Sequence, residues 1–202
     1  MAPDDARKEF EKGEKDFSRK KYPDAEKHFA KAVEAYPQYA QAWEMLARAQ
    51  RIERNYTEAE KSYLAAISAD EKFISPYIQL SGMYAGQAKW DAVLRLTAKV
   101  VALDANNYPD AYFLQAFAFY NLKQVPEAET SARKAVETDR LRRFPRAELL
   151  LGRILQTKGD DAGAAEHLRT YIKMEPNSPE APNIQSFLAQ FDKDAAAETK
   201  PK

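Results

Sequence analysis

Residues 20–37 read KKYPDAEKHFAKAVEAYP and residues 54–71 read RNYTEAEKSYLAAISADE, so the second stretch repeats the first at an offset of 34 residues. A fixed period of this size decides the architecture before any single element is assigned. Each period is one supersecondary unit that buries its apolar face only against its neighbours. Extending the frame outward gives units at 6–39, 40–73, 74–107, 109–142 and 145–178. Tyr108 and the pair Arg143 and Phe144 are the insertions between units.

Within the frame, small residues recur at fixed places. The eighth place holds Gly13, Ala47, Ser81, Ala116 and Gly152, and the twentieth holds Ala25, Ala59, Val93, Ala128 and Ala164. Ala32, Ala66, Val100 and Ala135 occupy the twenty-seventh. Two helices approach closely only where side chains are small, with larger residues filling the grooves around them. Trp43, Leu46 and Ala47 follow the spacing of one buried helix face, as do Tyr77, Leu80, Ser81 and Tyr84. Ala25, Phe29, Ala32 and Val33 form the matching stripe of a second helix, repeated as Ala59, Tyr63, Ala66 and Ile67. Each unit is therefore expected to be a helical hairpin.

With Trp43, Leu46, Ala47, Tyr56, Ala59, Tyr63 and Ala66 in one unit, and closing prolines at Pro37 and Pro176, the chain resembles the tetratricopeptide repeat family. The resemblance covers 6–178 and implies an all-α, right-handed solenoid of five hairpins. Some places depart from the pattern. Lys12 and Asp16 stand where Leu and Tyr are expected, which suits a terminal helix with nothing stacked outside it. Gln115, Arg140 and Asp161 make units four and five the less regular pair. After them, Ser178 is a helix-capping residue ahead of Ile184, Phe187, Leu188 and Phe191, which predict a covering helix at about 179–191. The expected organisation is one domain over 1–191 and a flexible tail over 192–202.

Composition narrows the function. Lys plus Arg and Asp plus Glu number 31 each, so no global field recruits nucleic acid. No stretch approaches the ~20 apolar residues of a membrane span, and MAPDDARKEF lacks the apolar core of a signal segment. Membrane insertion is not expected. The absence of cysteine removes thiolate chemistry and Cys-based zinc, and fits the cytoplasm as well as an exported protein whose signal has been removed.

No enzymatic constellation emerges, and no cofactor or metal is expected. His28 and His167 share the twenty-third place, too far apart along the array to share an ion, and read as outward-facing helix residues. Glu58 and Glu60, like Asp160 and Asp161, sit at helix starts, where the macrodipole favours them. Arg140, Arg142, Arg143 and Arg146 form a basic patch between units four and five, either a solvated loop or a secondary site for phosphate or an acidic partner.

The resemblance also implies a concave face lined by the first helix of each hairpin. A subset of the family captures a chaperone's terminal carboxylate there with Lys, Asn and Arg. Here those places hold Phe10, Glu14, Met45, Ser75 and Gln79, so that clamp is absent. The face offers Met45, Arg48, Arg51, Ile78, Gly82, Gly86, Phe113, Phe117, Tyr120 and Arg153 as a peptide-binding set. Two glycines inside one helix cost about 1 kcal/mol each relative to Ala, which is offset either by tight packing of neighbouring helices or by a depression that receives a ligand. The expected function is a protein-interaction scaffold that binds a peptide or segment of a partner protein. The other reading is a structural subunit that self-associates or docks in a larger, envelope-associated assembly, and the sequence leaves the oligomeric state open.

Overall fold

The computed structural model describes residues 2–141 and 143–198. Among them the chain forms eleven α-helices and no strand, so it is all-α as the periodicity predicts. The chain divides into two compact units, Met1–Met83 and Tyr84–Lys202, each described by itself. A single domain over 1–191 was the expectation.

The first unit holds α1 (Asp4–Ser18) and α2 (Tyr22–Ala35), then α3 (Ala40–Ile52) and α4 (Tyr56–Ala69), and the start of α5 (Ile74–Gly86). Its core joins the hairpins through Ala25, Phe29, Ala32, Val33, Ala42 and Leu46, with Phe10, Phe17, Tyr39, Trp43 and Met45 packed around them. The small residues act as contact points. A Cβ built on Gly13 would stand 2.6 Å from the Phe29 ring, so the buried ring occupies the space that a side chain would need.

The second unit takes in the end of α5, then α6 (Trp90–Leu103), α7 (Pro109–Asn121), α8 (Val125–Thr138), α9 (Pro145–Lys158), α10 (Asp161–Met174) and α11 (Ala181–Glu198). Ala116, Ala128, Ala132, Leu150, Leu151, Ile154, Leu155 and Ala164 form its core. Gly152 repeats the geometry of Gly13, since a Cβ there would lie 2.7 Å from Leu168 Cγ. Proline supplies the fixed φ of the first turn in α7, α8 and α9, and Asp160 caps α10 by accepting the Gly163 N–H at 2.9 Å.

Each hairpin turns through one residue in the left-handed region: Lys20 (φ 61°), Arg54 (65°), Ala88 (55°), Lys123 (64°) and Gly159 (79°). The following N–H reaches back over the end of the helix, as from Lys21 to the Asp16 carbonyl at 2.9 Å and from Asp160 to that of Leu155 at 3.0 Å. These are helix-ending αL motifs, in which the 6→1 bond satisfies a carbonyl that would otherwise be orphaned. Only the fifth uses glycine.

Two expectations at the C-terminal end are corrected. Ser178 does not cap α11: the helix begins three residues later, the Ile184 N–H bonds the Glu180 carbonyl, and the buried Ser178 Oγ has no hydrogen-bond partner among the described residues. Residues 192–198 do not form a tail but continue α11. Arg169 of α10 pairs with Asp192 and sits over the Phe191 ring at 5.7 Å, Gln190 donates to Asp194, and the alanines that follow favour helix. Residues 199–202 lie outside the described part. The predicted covering role is seen in the cluster of Ile184, Phe187 and Leu188 with Leu168 and Tyr171.

Candidate functional site

In the first unit, Met45 is half-buried against the core and Arg48 is held from two sides. Its Nη1 lies 3.5 Å from Met45 Sδ, and its guanidinium stands 5.3 Å from the centroid of the Phe17 ring on α1. Arg51, one turn further along α3, is exposed. Nearby, Ser75 Oγ donates to the buried Glu44 carboxylate at 2.6 Å, which ties α5 to α3. Ile78 is half-buried and Gly82 is exposed.

In the second unit the aromatic residues are more deeply engaged than a free groove wall requires. Phe113 and Phe117 stack with centroids 6.2 Å apart and planes 9° apart. Trp90 meets Phe117 edge-on at 5.6 Å and Phe144 meets Phe113 edge-on at 5.0 Å, so four rings make one continuous row. Phe113, Phe117 and Tyr120 are all half-buried against the core that contains Leu150 and Ile154. Each presents part of its surface. Tyr120 reaches across to α9, its hydroxyl 3.3 Å from Thr157 Oγ1, while Arg153 on α9 stays exposed.

A Cβ built on Gly82 or Gly86 would meet no heavy atom within 4 Å. Tight helix packing therefore does not explain these two glycines. They leave one exposed face of α5 bare.

The basic patch is shaped by an acid. Asp139 accepts the N–H groups of Arg143 at 3.0 Å and Phe144 at 2.7 Å, which folds the insertion between α8 and α9. Arg140, Arg143 and Arg146 are exposed there, with Leu141 70% exposed beside them; Arg142 lies outside the described residues. Below the loop is a cavity of about 200 Å³ lined by Val136, Asp139, Arg140, Phe144, Glu148 and Met174. Burial, with the charge of Asp139 in addition, raises the pKa of Asp110 from its ordinary value.

Both histidines are more than outward helix residues. His28 Nδ1 lies 2.7 Å from Glu9 Oε2, and His167 Nδ1 lies 2.7 Å from Glu148 Oε2. The partners share the fourth place of units one and five, where the other three units carry Trp43, Tyr77 and Tyr112. Those aromatic residues bond backward instead: Trp43 Nε1–H to the Pro37 carbonyl at 2.8 Å, Tyr77 O–H to Glu71 and Tyr112 O–H to Ala105, both at 3.1 Å. Glu9, bonded first by Lys12 and then by His28, has its pKa lowered to about 2.

Serial antiparallel hairpins with small contact residues at repeating places define a helical-repeat protein. The sequence profile described as Tetratricopeptide repeat matches residues 10–72 and 113–182, more than half of the chain, and the protein belongs to that family. Comparison with curated protein sequences gives no match. Among solved structures the chain is similar to PilF of Pseudomonas aeruginosa, with 18% identity and a TM-score of 0.81, over 96% of this chain and 87% of that one. It is similar to MamA of Desulfovibrio magneticus RS-1 as well, with 16% identity and a TM-score of 0.75, over 89% and 99%. YrrB, described as a repeat protein with an unusual peptide-binding site, matches with 18% identity and a TM-score of 0.69, over 88% and 90%. At these identities the likeness is one of fold. Among the described residues no helix is long and apolar enough to cross a membrane.

Proposed function

We propose that the chain is a scaffold that holds a segment of another protein against the exposed faces of its first helices. The observation that carries this reading is the bare face of α5. Gly82 and Gly86 forgo about 1 kcal/mol each of helix propensity, and no neighbour packs into the space they leave. Polypeptide backbone approaches closely where side chains are absent. Partly exposed aromatic rings at Phe117 and Tyr120, and exposed cations at Arg51 and Arg153, are the residue types that anchor interfaces. The peptide-binding site described for the similar YrrB agrees with such a use of the fold.

The test is affinity for the partner, recovered by affinity capture and then remade pure. Phe117→Ala and Arg51→Glu are each expected to weaken binding by about tenfold or more, as truncated interface anchors do. Gly86→Leu, which places a side chain in open space, is expected to block binding while the fold is retained. Unchanged affinity in all three would overturn the reading. Mass measured over a range of concentrations tests the self-assembling alternative with the same samples.

A further inference from the structure

The cavity beneath the α8–α9 insertion takes no wall from the first-helix residues read above as a peptide-binding set. It is built from the end of α8, the start of α9 and the end of α10, and its volume of about 200 Å³ is small. Drug-sized ligands and cofactors fill about 300–1,000 Å³, so this space suits a single side chain or a molecule of a few heavy atoms. Half-buried Val136, Phe144 and Met174, with buried Ala147, supply its apolar wall.

The charges along the lining are unevenly placed. Glu148 is only 8% exposed, and its side chain makes a single hydrogen bond among the described residues, with His167 Nδ1 at 2.7 Å from Oε2. That leaves Oε1 for a ligand. Asp139, half-buried, is held in place by the two backbone N–H groups that it accepts. Glu137 is offset by Lys134, 2.8 Å away, and Arg140 is exposed. What remains is two carboxylates against one guanidinium, with the carboxylates the more enclosed. An enclosed carboxylate is costly unless a cation or a donor meets it, so the cavity favours a cation although the surrounding sequence is rich in arginine.

We propose that this cavity receives a primary ammonium group on a short alkyl stem, which donates to Glu148 Oε1 while its stem lies against Val136 and Met174. An ammonium brings one charge and three donors, which matches the excess of one carboxylate, and the Phe144 ring is a favourable neighbour for it. The same chemistry is offered by a lysine side chain of a partner protein and by a free alkylamine. The site is independent of the reading of the first-helix faces, and neither falls with the other.

The experiment follows the ε-methyl resonances of methionine in the full chain. Met174 reports on the cavity, and Met45 and Met83, which do not line it, are controls. At pH 8, where an ordinary imidazole is neutral, the chain is titrated with butylammonium, Nα-acetyl-lysine amide, butan-1-ol or inorganic phosphate. Saturable shifts confined to Met174 are expected with an ammonium probe and not with the alcohol or phosphate. Saturation by butylammonium alone identifies a free amine as the source, and saturation by the lysine derivative identifies a side chain.

Two variants have opposite expected signs. Glu148→Gln keeps the shape and removes the charge, and is expected to weaken saturation about tenfold. Arg140→Gln removes an exposed competing cation and is expected to tighten it about threefold, which no loss of folding can mimic. Absence of saturation with both ammonium probes, an equal response to butan-1-ol, saturation by phosphate, unchanged affinity in Glu148→Gln, or weaker binding in Arg140→Gln would each overturn the inference.

Discussion

The first and fifth hairpins differ from the three between them in the same ways. At the eighth place they carry glycine, Gly13 and Gly152, against Ala47, Ser81 and Ala116. At the fourth they carry glutamate bonded to the histidine of the facing helix, where the middle hairpins carry an aromatic residue bonded back to the preceding loop. The middle hairpins are thus tied to the chain before them. The outer two instead close on themselves, helix to helix. The glycine follows from the same economy, because Phe29 and Leu168 fill the centre of these hairpins and leave no room for a Cβ. In this array a glycine inside a helix has two opposite meanings: filled space at Gly13 and Gly152, open space at Gly82 and Gly86.

The largest effect is expected where that contrast is sharpest. Gly13→Ala and Gly152→Ala press a methyl into a buried ring or leucine, and each should cost about 1–3 kcal/mol in denaturant unfolding. Equal stability to the wild type would show that the two cores are loose. Gly82→Ala and Gly86→Ala should move the other way, each adding about 1 kcal/mol, since the helix gains propensity and nothing is displaced. A loss of stability in either would restore a packing role.

Smaller effects separate the two kinds of tie. Tyr112→Phe removes the bond to the Ala105 carbonyl and should cost about 0.5–1 kcal/mol by thermal unfolding. The pH dependence concerns Glu9. Its pKa in the folded chain is lowered to about 2, mainly by Lys12 and next by His28, so the folded state binds its proton less readily than the unfolded state does. Its contribution is present above the ordinary value of 4.5 and is lost as the pH falls from there towards 2. The partners are solvent-accessible, which limits the effect to about 0.2–0.5 kcal/mol. Glu9→Gln should flatten that part of an acid titration, and an unchanged acid limb would show that the pair contributes nothing.

Much of the fold was legible because period and residue size are both written in the chain. The 34-residue offset places the helix starts at Ala40, Ile74, Pro109 and Pro145, and the small residues at the twentieth place are all fully buried. The turns were less legible. Lys20, Arg54, Ala88 and Lys123 adopt positive φ without being glycine, since the backward hydrogen bond of the helix end outweighs the steric cost. The end of α11 was hidden because DKDAAAE has no apolar face, whereas its helix is held by the Arg169–Asp192 pair and by alanine propensity. The glutamate–histidine pairs do leave a trace in the sequence: glutamate at the fourth place occurs only in the two units that have histidine at the twenty-third.

For the candidate site, the sequence identified which residues belong to the first helices but not how far each is engaged. Phe113 and Phe117 read as members of the concave-face set, and Trp90 from α6 and Phe144 from the insertion close on their edges. Such contacts depend on neighbouring helices that no single-helix pattern encodes.

The central claim is that partners are held on first-helix faces. A photocrosslinking residue placed singly at Arg51, Tyr120 or Arg153, and as controls at Lys31 or Lys134 on the exposed faces of α2 and α8, tests it most directly. The account predicts that the partner is captured from first-helix positions and not from the controls; capture from α2 or α8 alone would contradict it.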